Sequence, residues 1–273
     1  MGFQINTNTA ANTAYRNLSS TQGDMSKSLE KLSSGLRINR AADDAAGLAI
    51  SEGLRSQIGG LGVAARNAQD GISVVQTAEG ALTEVHSILQ RVRDLAVQAG
   101  NDSNNVEARA AIKTEVNALG DELTRIAEST NFNGEKLLKG TAMNFQVGAG
   151  GVAAEDQITV AATDIASLGA DIKALSFDSS AAALTTIVAI DAEIKDVSTA
   201  RSALGAVRNR FESAINSINV SQENLSAAKS RITDTDMAKE MADFTRSNIL
   251  SQAGTAMLAQ ANQMNQGVLQ LLR

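Results

Sequence analysis

Apolar residues recur at alternating steps of four and three residues along most of this chain, and no proline interrupts them. Near the start they form one stripe of Ala11, Tyr15, Leu18, Met25, Leu29, Leu32 and Leu36, in which the polar Gln22 occupies one position. Residues at this spacing lie along one face of a helix, and such a face is buried only when another helix covers it. The pattern therefore predicts long helices that pair side by side.

Four further stripes have the same spacing. They run from Leu54 to Ala99, from Ile112 to Ile126, from Ile187 to Ile232 and finally through Leu250, Met257, Ala261, Met264, Val268 and Leu271, with Gly254 in one gap. At 1.5 Å per residue, helices over 4–36 and 237–272 would be about 50 and 54 Å long, and helices over 44–99 and 181–232 about 84 and 78 Å. The matched lengths predict two antiparallel helix pairs.

The apolar content consists mainly of aliphatic side chains, because aromatic residues make up only 3% of the chain and tryptophan and cysteine are absent. Such a composition suits thin helical layers. The net charge is −6 with both signs interspersed, so we expect no nucleic-acid partner. The uncharged run before Arg273 contains many Asn and Gln residues, so we expect no insertion into a membrane. The opening segment lacks the apolar core of a signal peptide, so any secretion would use another route.

Residues that could carry chemistry are few. His86 is the only histidine and has no second ligand at metal spacing, so a helix-surface role is expected. The segment "GAGGVA" at 148–153 fits a loose dinucleotide fingerprint, but a strand-like segment follows it, which favours a turn. Asp234 and Asp236 fit a helix cap better than a calcium loop. We predict no enzyme activity, no catalytic or metal-binding residues and no cofactor.

Residues 141–178 alternate like strands around a glycine-rich turn. The predicted fold is mainly α, with long antiparallel coiled-coil-like helical hairpins and a small β-hairpin region in the middle of the chain. We expect residues 1–40 and 234–273 to form the two halves of an inner terminal helical domain. The remaining residues are expected to form a central rod domain. Its first helices lie in 41–140, its β-hairpin and loops in 141–180, and its last helix in 181–233.

Several stretches of the sequence, which follow one another in the same order as in the family, resemble bacterial flagellin. They are "LSSGLRINRAADDAAGLAI" at 32–50, "RNAQDGISVVQTAEGAL" at 66–82, "LQRVRDLAVQAGN" at 89–101, "NFNGEKLL" at 131–138 and the run from "LGAVRNRFESAINSINVSQENLSAAKSRI" at 204–232 to the final "GVLQLLR". Departures are small, since Asp94 stands where the family commonly has Glu and "ITDTDMA" replaces "IRDVDMA". The short middle implies that outer variable domains are absent.

The resemblance implies a subunit that is exported through the flagellum without a cleavable signal peptide and polymerises outside the cell into a filament for motility. Its implied partners are copies of itself, the flagellar export apparatus, an export chaperone, the filament cap and the hook-junction proteins. In the family both termini line the inner tube of the filament. The residues expected to form this assembly core are Tyr15, Leu18, Met25, Leu29, Leu32, Leu250, Met257, Met264, Val268 and Leu271.

The resemblance also implies a partner in animals, the innate immune receptor that detects flagellin. The corresponding patch here is Gln90, Arg91, Leu95, Gln98 and Glu115. Arg91, Leu95 and Gln98 are spaced by four and three residues, which predicts one helix face beside the core stripe. The same face could instead contact a neighbouring subunit in the filament.

Two alternatives remain at this stage. A flagellar hook-filament junction protein shares the terminal helices of flagellin, although the match through "QRVRDLAVQ" and "NFNG" favours flagellin. The helical pattern by itself would also fit a cytoplasmic coiled-coil adaptor.

Overall fold

The computed structural model describes residues 8–161 and 163–271, with side chains described through residue 263. Seven helices and four short strands follow one another along the chain. They are α1 (Thr9–Ser34), α2 (Ala45–Ala99), α3 (Val106–Ser129), β1 (Asn131–Phe132), β2 (Glu135–Lys136), β3 (Met143–Gln146), α4 (Ala153–Asp156), β4 (Gln157–Val160), α5 (Leu168–Ala174), α6 (Ser180–Thr233) and α7 (Met237–Leu271). The predicted mainly α fold with a small central β-hairpin is confirmed.

The helix ends are set by local polar chemistry. Asn8 and Asn105 accept hydrogen bonds from the backbone N–H groups three residues later, at 2.9 and 2.8 Å, and so cap α1 and α3. Asp236 accepts from the N–H of Ala238 at 3.0 Å, which confirms the predicted cap of α7. Gly35 ends α1 in the left-handed conformation that favours glycine. Of the predicted terminal helices, residues 4–7 and 272 lie outside the described residues.

The chain divides into two compact units, residues 1–56 with 224–273, and residues 57–223. The first unit contains the antiparallel pair of α1 and α7. Asn8 Nδ2 donates to the carbonyl of Ala261 at 3.0 Å at one end, and Lys31 Nζ lies 4.0 Å from a Glu240 carboxylate oxygen towards the other. The segments that follow α1 and α6 also pair, through an isolated bridge between Leu36 and Asp234.

The second unit has a core made by residues spaced by seven. Among the buried residues of α6, Ile190, Val197, Leu204 and Phe211 have this spacing, and among those of α2, Ala68, Val75, Leu82, Leu89 and Ala96 have it. Gly71 of α2 faces the ring of Phe211, which also packs edge-on against Phe145 with ring centroids 5.6 Å apart. One long apolar layer therefore holds α2, α6 and the β3 strand together.

The third helix of this unit is held by close backbone approach. A Cβ added at Gly169 of α5 would lie 2.5 Å from the carbonyl oxygen of Gly120 on α3. Lys113 of α3 donates to the carbonyls of Lys173 and Leu175, where α5 ends. Burial lowers the pKa of the Lys113 ammonium, and its two carbonyl partners satisfy its donors.

Two antiparallel hairpins lie between α3 and α5. The predicted one pairs β3 with β4, from Met143 opposite Val160 to Gln146 opposite Gln157. The glycine-rich segment between β3 and β4 is a loop, in which the Asp156 carboxylate accepts hydrogen bonds from the N–H groups of Gly150 and Val152 at 3.3 and 3.0 Å. None of the helices in the described part of the chain is long and apolar enough to cross a membrane.

Candidate assembly surfaces

The predicted apolar stripe of each terminal helix is divided in two by the pairing of α1 with α7. One half, which we name the paired stripe, points into the pair: Ala11, Leu18, Met25 and Leu32 on α1, with Gly254 and Ala261 on α7. A Cβ built on Gly254 would lie 3.2 Å from Leu18 Cδ1, so glycine here allows the helices to approach closely. Within each helix, neighbouring residues of the paired stripe are seven positions apart.

The other half, which we name the exposed stripe, faces solvent. It consists of Tyr15 and Leu29 on α1 and of Leu250 and Met257 on α7, which are 64, 57, 53 and 59% exposed. Each pair is separated by a multiple of seven residues, so its members lie on one face of their helix. Large apolar side chains exposed in a regular row mark a surface that another protein surface covers.

The predicted assembly residues therefore have different positions in the isolated chain. Leu18, Met25 and Leu32 are half-buried in the paired stripe, whereas Tyr15, Leu29, Leu250 and Met257 belong to the exposed stripe. The side chains of Met264, Val268 and Leu271 lie outside the described side chains. A single period-seven pattern could not distinguish the two halves, because both have the same spacing.

A second exposed apolar face lies on α7. Met241, Thr245 and Ile249 follow one another at steps of four and line a shallow groove with Leu250. Met241 and Ile249 are both exposed. Their spacing of four residues indicates a shared helix face, but the polar Thr245 interrupts the apolar pattern that would have marked this face in the sequence.

The second predicted surface is the patch around Arg91, in the unit of residues 57–223. Arg91 Nε and Nη2 donate to the same carboxylate oxygen of Glu115, at 3.0 and 2.6 Å, so the structure brings these two residues of α2 and α3 together. Gln90 is exposed and hydrogen bonds to His86, and Gln98 is exposed on the next turns of α2. These polar groups form the accessible part of the patch.

Leu95 does not belong to that surface, and its assignment to an exposed face is wrong. Its side chain is only 2% exposed and lies in the core. The reason is that α2 packs against both α3 and α6, so the apolar face of α2 is wider than the single stripe of Leu89, Val92 and Ala96. A helix with two partners buries positions that a two-helix pattern leaves outside.

No three His, Cys, Asp or Glu residues among the described ones are placed to hold a metal ion. His86 is half-buried on α2 and shares a 3.0 Å hydrogen bond with Gln90 through Nε2. The chemistry offered by these surfaces is apolar contact and ion pairing.

Comparison with known proteins identifies relatives along the whole length. Residues 5–143 match the family described as the bacterial flagellin N-terminal helical region, and residues 187–272 match the bacterial flagellin C-terminal helical region. A flagellin of Halalkalibacterium halodurans is 52% identical over 270 residues, covering 98% of this chain and 99% of the relative. A flagellin of Bacillus subtilis is 50% identical over 310 residues, covering 99% of this chain and 100% of the relative.

Two solved structures share the fold. The crystal structure of Bacillus cereus flagellin is 33% identical, covers 60% of this chain and 94% of that one, and has a TM-score of 0.50. A putative flagellar hook-associated protein from Vibrio parahaemolyticus has a TM-score of 0.58 and covers 70% of this chain and 100% of that one, but at 16% identity it shows a likeness of fold alone.

Proposed function

Since this chain belongs to the bacterial flagellin family, we propose that the exposed stripe of its terminal helices forms contacts between subunits of the filament. The chain is a structural subunit that polymerises into the flagellar filament for motility. The proposal concerns the residues that hold the polymer together. The observation that carries it is the regular exposure of Tyr15, Leu29, Leu250 and Met257.

Burial of these four side chains would supply a sizeable driving force for assembly. Fully burying one large apolar side chain contributes about 1.5–3 kcal/mol, and each of the four is about half exposed before assembly. The same seven-residue spacing continues to Met264 and Leu271, which we include in the proposed contact. Val268 lies seven residues after Ala261 in the sequence and stays a predicted assembly residue.

Replacement of one exposed leucine by a carboxylate tests this proposal. In Leu250→Asp, assembly would bury an unpaired charge at a cost of several kcal/mol per contact, so we expect at least about a hundredfold higher critical concentration. The melting temperature of the monomer should change little, because Leu250 is 53% exposed. Sedimentation of polymer against subunit concentration measures the first quantity, and circular dichroism measures the second.

The matched control is Gln252→Asp, which adds the same charge at an exposed polar position on another face of α7. This variant should polymerise much closer to wild type. Filaments of Leu250→Asp that form at the wild-type critical concentration would contradict the proposal for the exposed stripe. They would leave the function of the chain as a filament subunit untouched.

We also propose that the chain reaches the cell exterior through the flagellar export apparatus, with an export chaperone, a filament cap and hook-junction proteins as partners. Members of the family form a filament outside the cell, so the chain must cross the cell envelope to reach it. The absence of cysteine fits passage of an extended chain, because no disulfide can tie it. We expect the protein in sheared filaments to keep its N-terminal sequence intact. In an export-deficient strain, we expect the protein to be absent from the culture medium.

A further proposed partner is the innate immune receptor that detects flagellin, bound through Gln90, Arg91, Gln98 and Glu115. The support is the cluster of exposed polar groups around the Arg91–Glu115 pair, whose side chains are about half exposed. Arginine with planar donors is enriched among residues that dominate binding energy. The buried Leu95 acts only by supporting the helix beneath the patch.

Titration of the receptor ectodomain with monomers tests this partner. We expect Arg91→Ala to weaken binding by about 2 kcal/mol, which is near thirtyfold. The control is Arg93→Ala, because Arg93 forms a comparable exposed ion pair with Asp191 on another face of α2. Equal affinities of wild type and Arg91→Ala would remove Arg91 from the patch, and absence of binding by wild type would contradict the partner itself.

A further inference from the structure

A groove in the unit of residues 57–223 is not explained by the exposed stripe or by the Arg91 patch. It measures about 380 Å³ and lies between the segment before α5 and the outer side of α6. Its floor is apolar and is formed by the buried side chains of Ile165, Leu168, Val197 and Leu204. A dry floor of this kind accepts an aliphatic side chain or the methylene stem of a long one.

The rim of the groove is acidic. Asp164, Glu193 and Asp196 all line it, and none of the three forms an ion pair with a Lys or Arg among the residues the structure describes. Burial raises the pKa of the Glu193 carboxyl, and the neighbouring carboxylates of Asp171 and Asp196 raise it further. The groove thus combines an apolar floor with carboxylates that lack a cation, and its complement is an aliphatic residue beside a basic one.

The same chain offers such a complement on α2. Val63 is 46% exposed, and Arg66, one turn further along, is exposed and forms no hydrogen bond or ion pair among the described residues. Gly59 lies on the same helical face, and a Cβ there would meet nothing within 4 Å. The face therefore presents one aliphatic and one cationic side chain beside a bare stretch of backbone, which permits close approach by another chain.

We propose that the acidic groove of one subunit binds Val63 and Arg66 of a second copy, with Val63 on the apolar floor and the Arg66 guanidinium between Glu193 and Asp196. The inference rests on filament assembly and adds a contact outside the terminal helices. Charge complementarity selects a second copy as the occupant, because both halves of the contact are present on every subunit.

The positions of the two surfaces fit continued growth. Gly62 lies beside Gln222 of α6, and Gln222 is 18 residues from Leu204 in the groove, which corresponds to about 27 Å along the helix. A contact between two different surfaces of identical subunits is heterologous, and such contacts extend into open helical polymers when they do not close into a ring. The groove can therefore join one subunit to the next without limit.

Charge exchange tests the contact. In Glu193→Lys with Asp196→Lys, like charges would face Arg66, and we expect the critical concentration for polymerisation to rise by about a hundredfold or more. Adding Arg66→Glu to the same chain restores opposite charges across the contact and should recover most of the loss. Polymer yield against subunit concentration, with monomer helicity by circular dichroism, supplies the readout.

The control is Glu135→Lys with Glu155→Lys, which makes the same change in net charge at exposed positions outside the groove. Normal assembly of the Glu193 and Asp196 variant, or an equal loss in the control, would overturn the inference. A loss that Arg66→Glu does not recover would overturn the pairing with Arg66. Failure of the wild-type protein to polymerise would instead count against the filament function, so the two failures are distinguishable.

Discussion

At the residue scale, two glycines of α2 provide a matched test of packing in the core. A Cβ added at Gly71 would lie 2.6 Å from the buried Phe211 ring, whereas a Cβ at Gly80 meets nothing within 4 Å. We expect Gly71→Ala to destabilise the monomer by about 1–3 kcal/mol through overpacking. Gly80→Ala should stabilise it by about 0.5–1 kcal/mol, because alanine is the better helix former.

Denaturant unfolding of the monomer measures both changes. The two variants share the same chemistry and the same helix, so a difference in sign isolates the contact with Phe211. Stabilisation by both substitutions would mean that the Phe211 ring moves freely away from α2.

A second residue-scale prediction concerns the pH dependence of stability. The pKa of Glu193 is raised in the folded chain, mainly by burial, so above its ordinary pKa the folded state holds this proton longer than the unfolded state does. Stability from this group therefore falls as pH rises from the ordinary value of 4.5 through the folded pKa. We expect Glu193→Gln to raise the melting temperature of the monomer at pH 7, with a smaller gain below pH 4.5. A gain that grows with acidification would contradict this sign.

Single residues were predictable from sequence where local chemistry decides their role. Asp236 caps α7 because its carboxylate reaches backbone N–H groups within the next turn, and that requires no knowledge of the rest of the fold. Leu95 lies one turn after Arg91, which pairs with Glu115 of α3, so we attribute its burial to the packing of α3 against α2, which local spacing does not reveal. The prediction that Leu95 is exposed was therefore wrong because it left out a tertiary contact, although it described the spacing along α2 correctly.

At the element scale, the α1–α7 pair should be the first structure lost in an isolated subunit. Its paired stripe contains glycine and alanine on α7, so little apolar area offsets an ordering cost of about 1–2 kcal/mol per residue. Mild proteolysis of monomers should leave a resistant fragment near residues 45–230, and this fragment should not polymerise. Mass spectrometry of the fragments provides the measurement.

Intact filaments serve as the control for this digestion. The exposed stripe would be covered there, so the terminal helices should survive much longer than in monomers. Terminal helices of the monomer that resist as strongly as the fragment would contradict the prediction.

The sequence predicted the long helices well because each carries many turns of one period between polar breaks such as "NDSNN" at 101–105. The β3–β4 hairpin was also expected from alternation around glycines. The β1–β2 hairpin was not predicted, although Asn133 and Gly134 at its turn both have positive φ, as an Asn-Gly turn of this kind requires. Its two-residue strands are too short to show an alternating pattern.

At the scale of the whole molecule, a disulfide across the terminal pair tests whether the same pairing persists in the polymer. A Cβ at Gly254 would lie 3.7 Å from the Cβ of Leu18, within the range for a disulfide. In Leu18→Cys with Gly254→Cys, closing so long a loop should stabilise the oxidised monomer by about 5 kcal/mol. Because the exposed stripe is unchanged, the oxidised subunit should still polymerise.

The reduced form of the same variant is the control, since it carries both substitutions without the cross-link. Polymerisation that occurs only after reduction would mean that α1 and α7 separate during assembly. Sedimentation with and without reductant gives the answer directly.

The family and the filament role were accessible from the sequence, because ordered stretches from residue 32 to the last residue carry the resemblance. The division of the terminal stripes into paired and exposed halves was not accessible. It depends on which face of α1 meets α7, and two stripes with a period of seven satisfy the same pattern. The acidic groove brings residue 164 together with residues 193–196 by tertiary packing, so no contiguous sequence motif could have predicted it.

The hydrogen bond between Asn8 and Ala261 joins positions that are 253 apart in sequence, and this separation has a kinetic consequence. Contacts of high sequence separation form late, because the entropy of closing the loop must be overcome before the contact contributes. Helix α1, near the start of the chain, can therefore fix the position of its exposed stripe only after α7, near the end of the chain, has formed and packed against it. We therefore expect the competence to polymerise to appear last as each subunit folds.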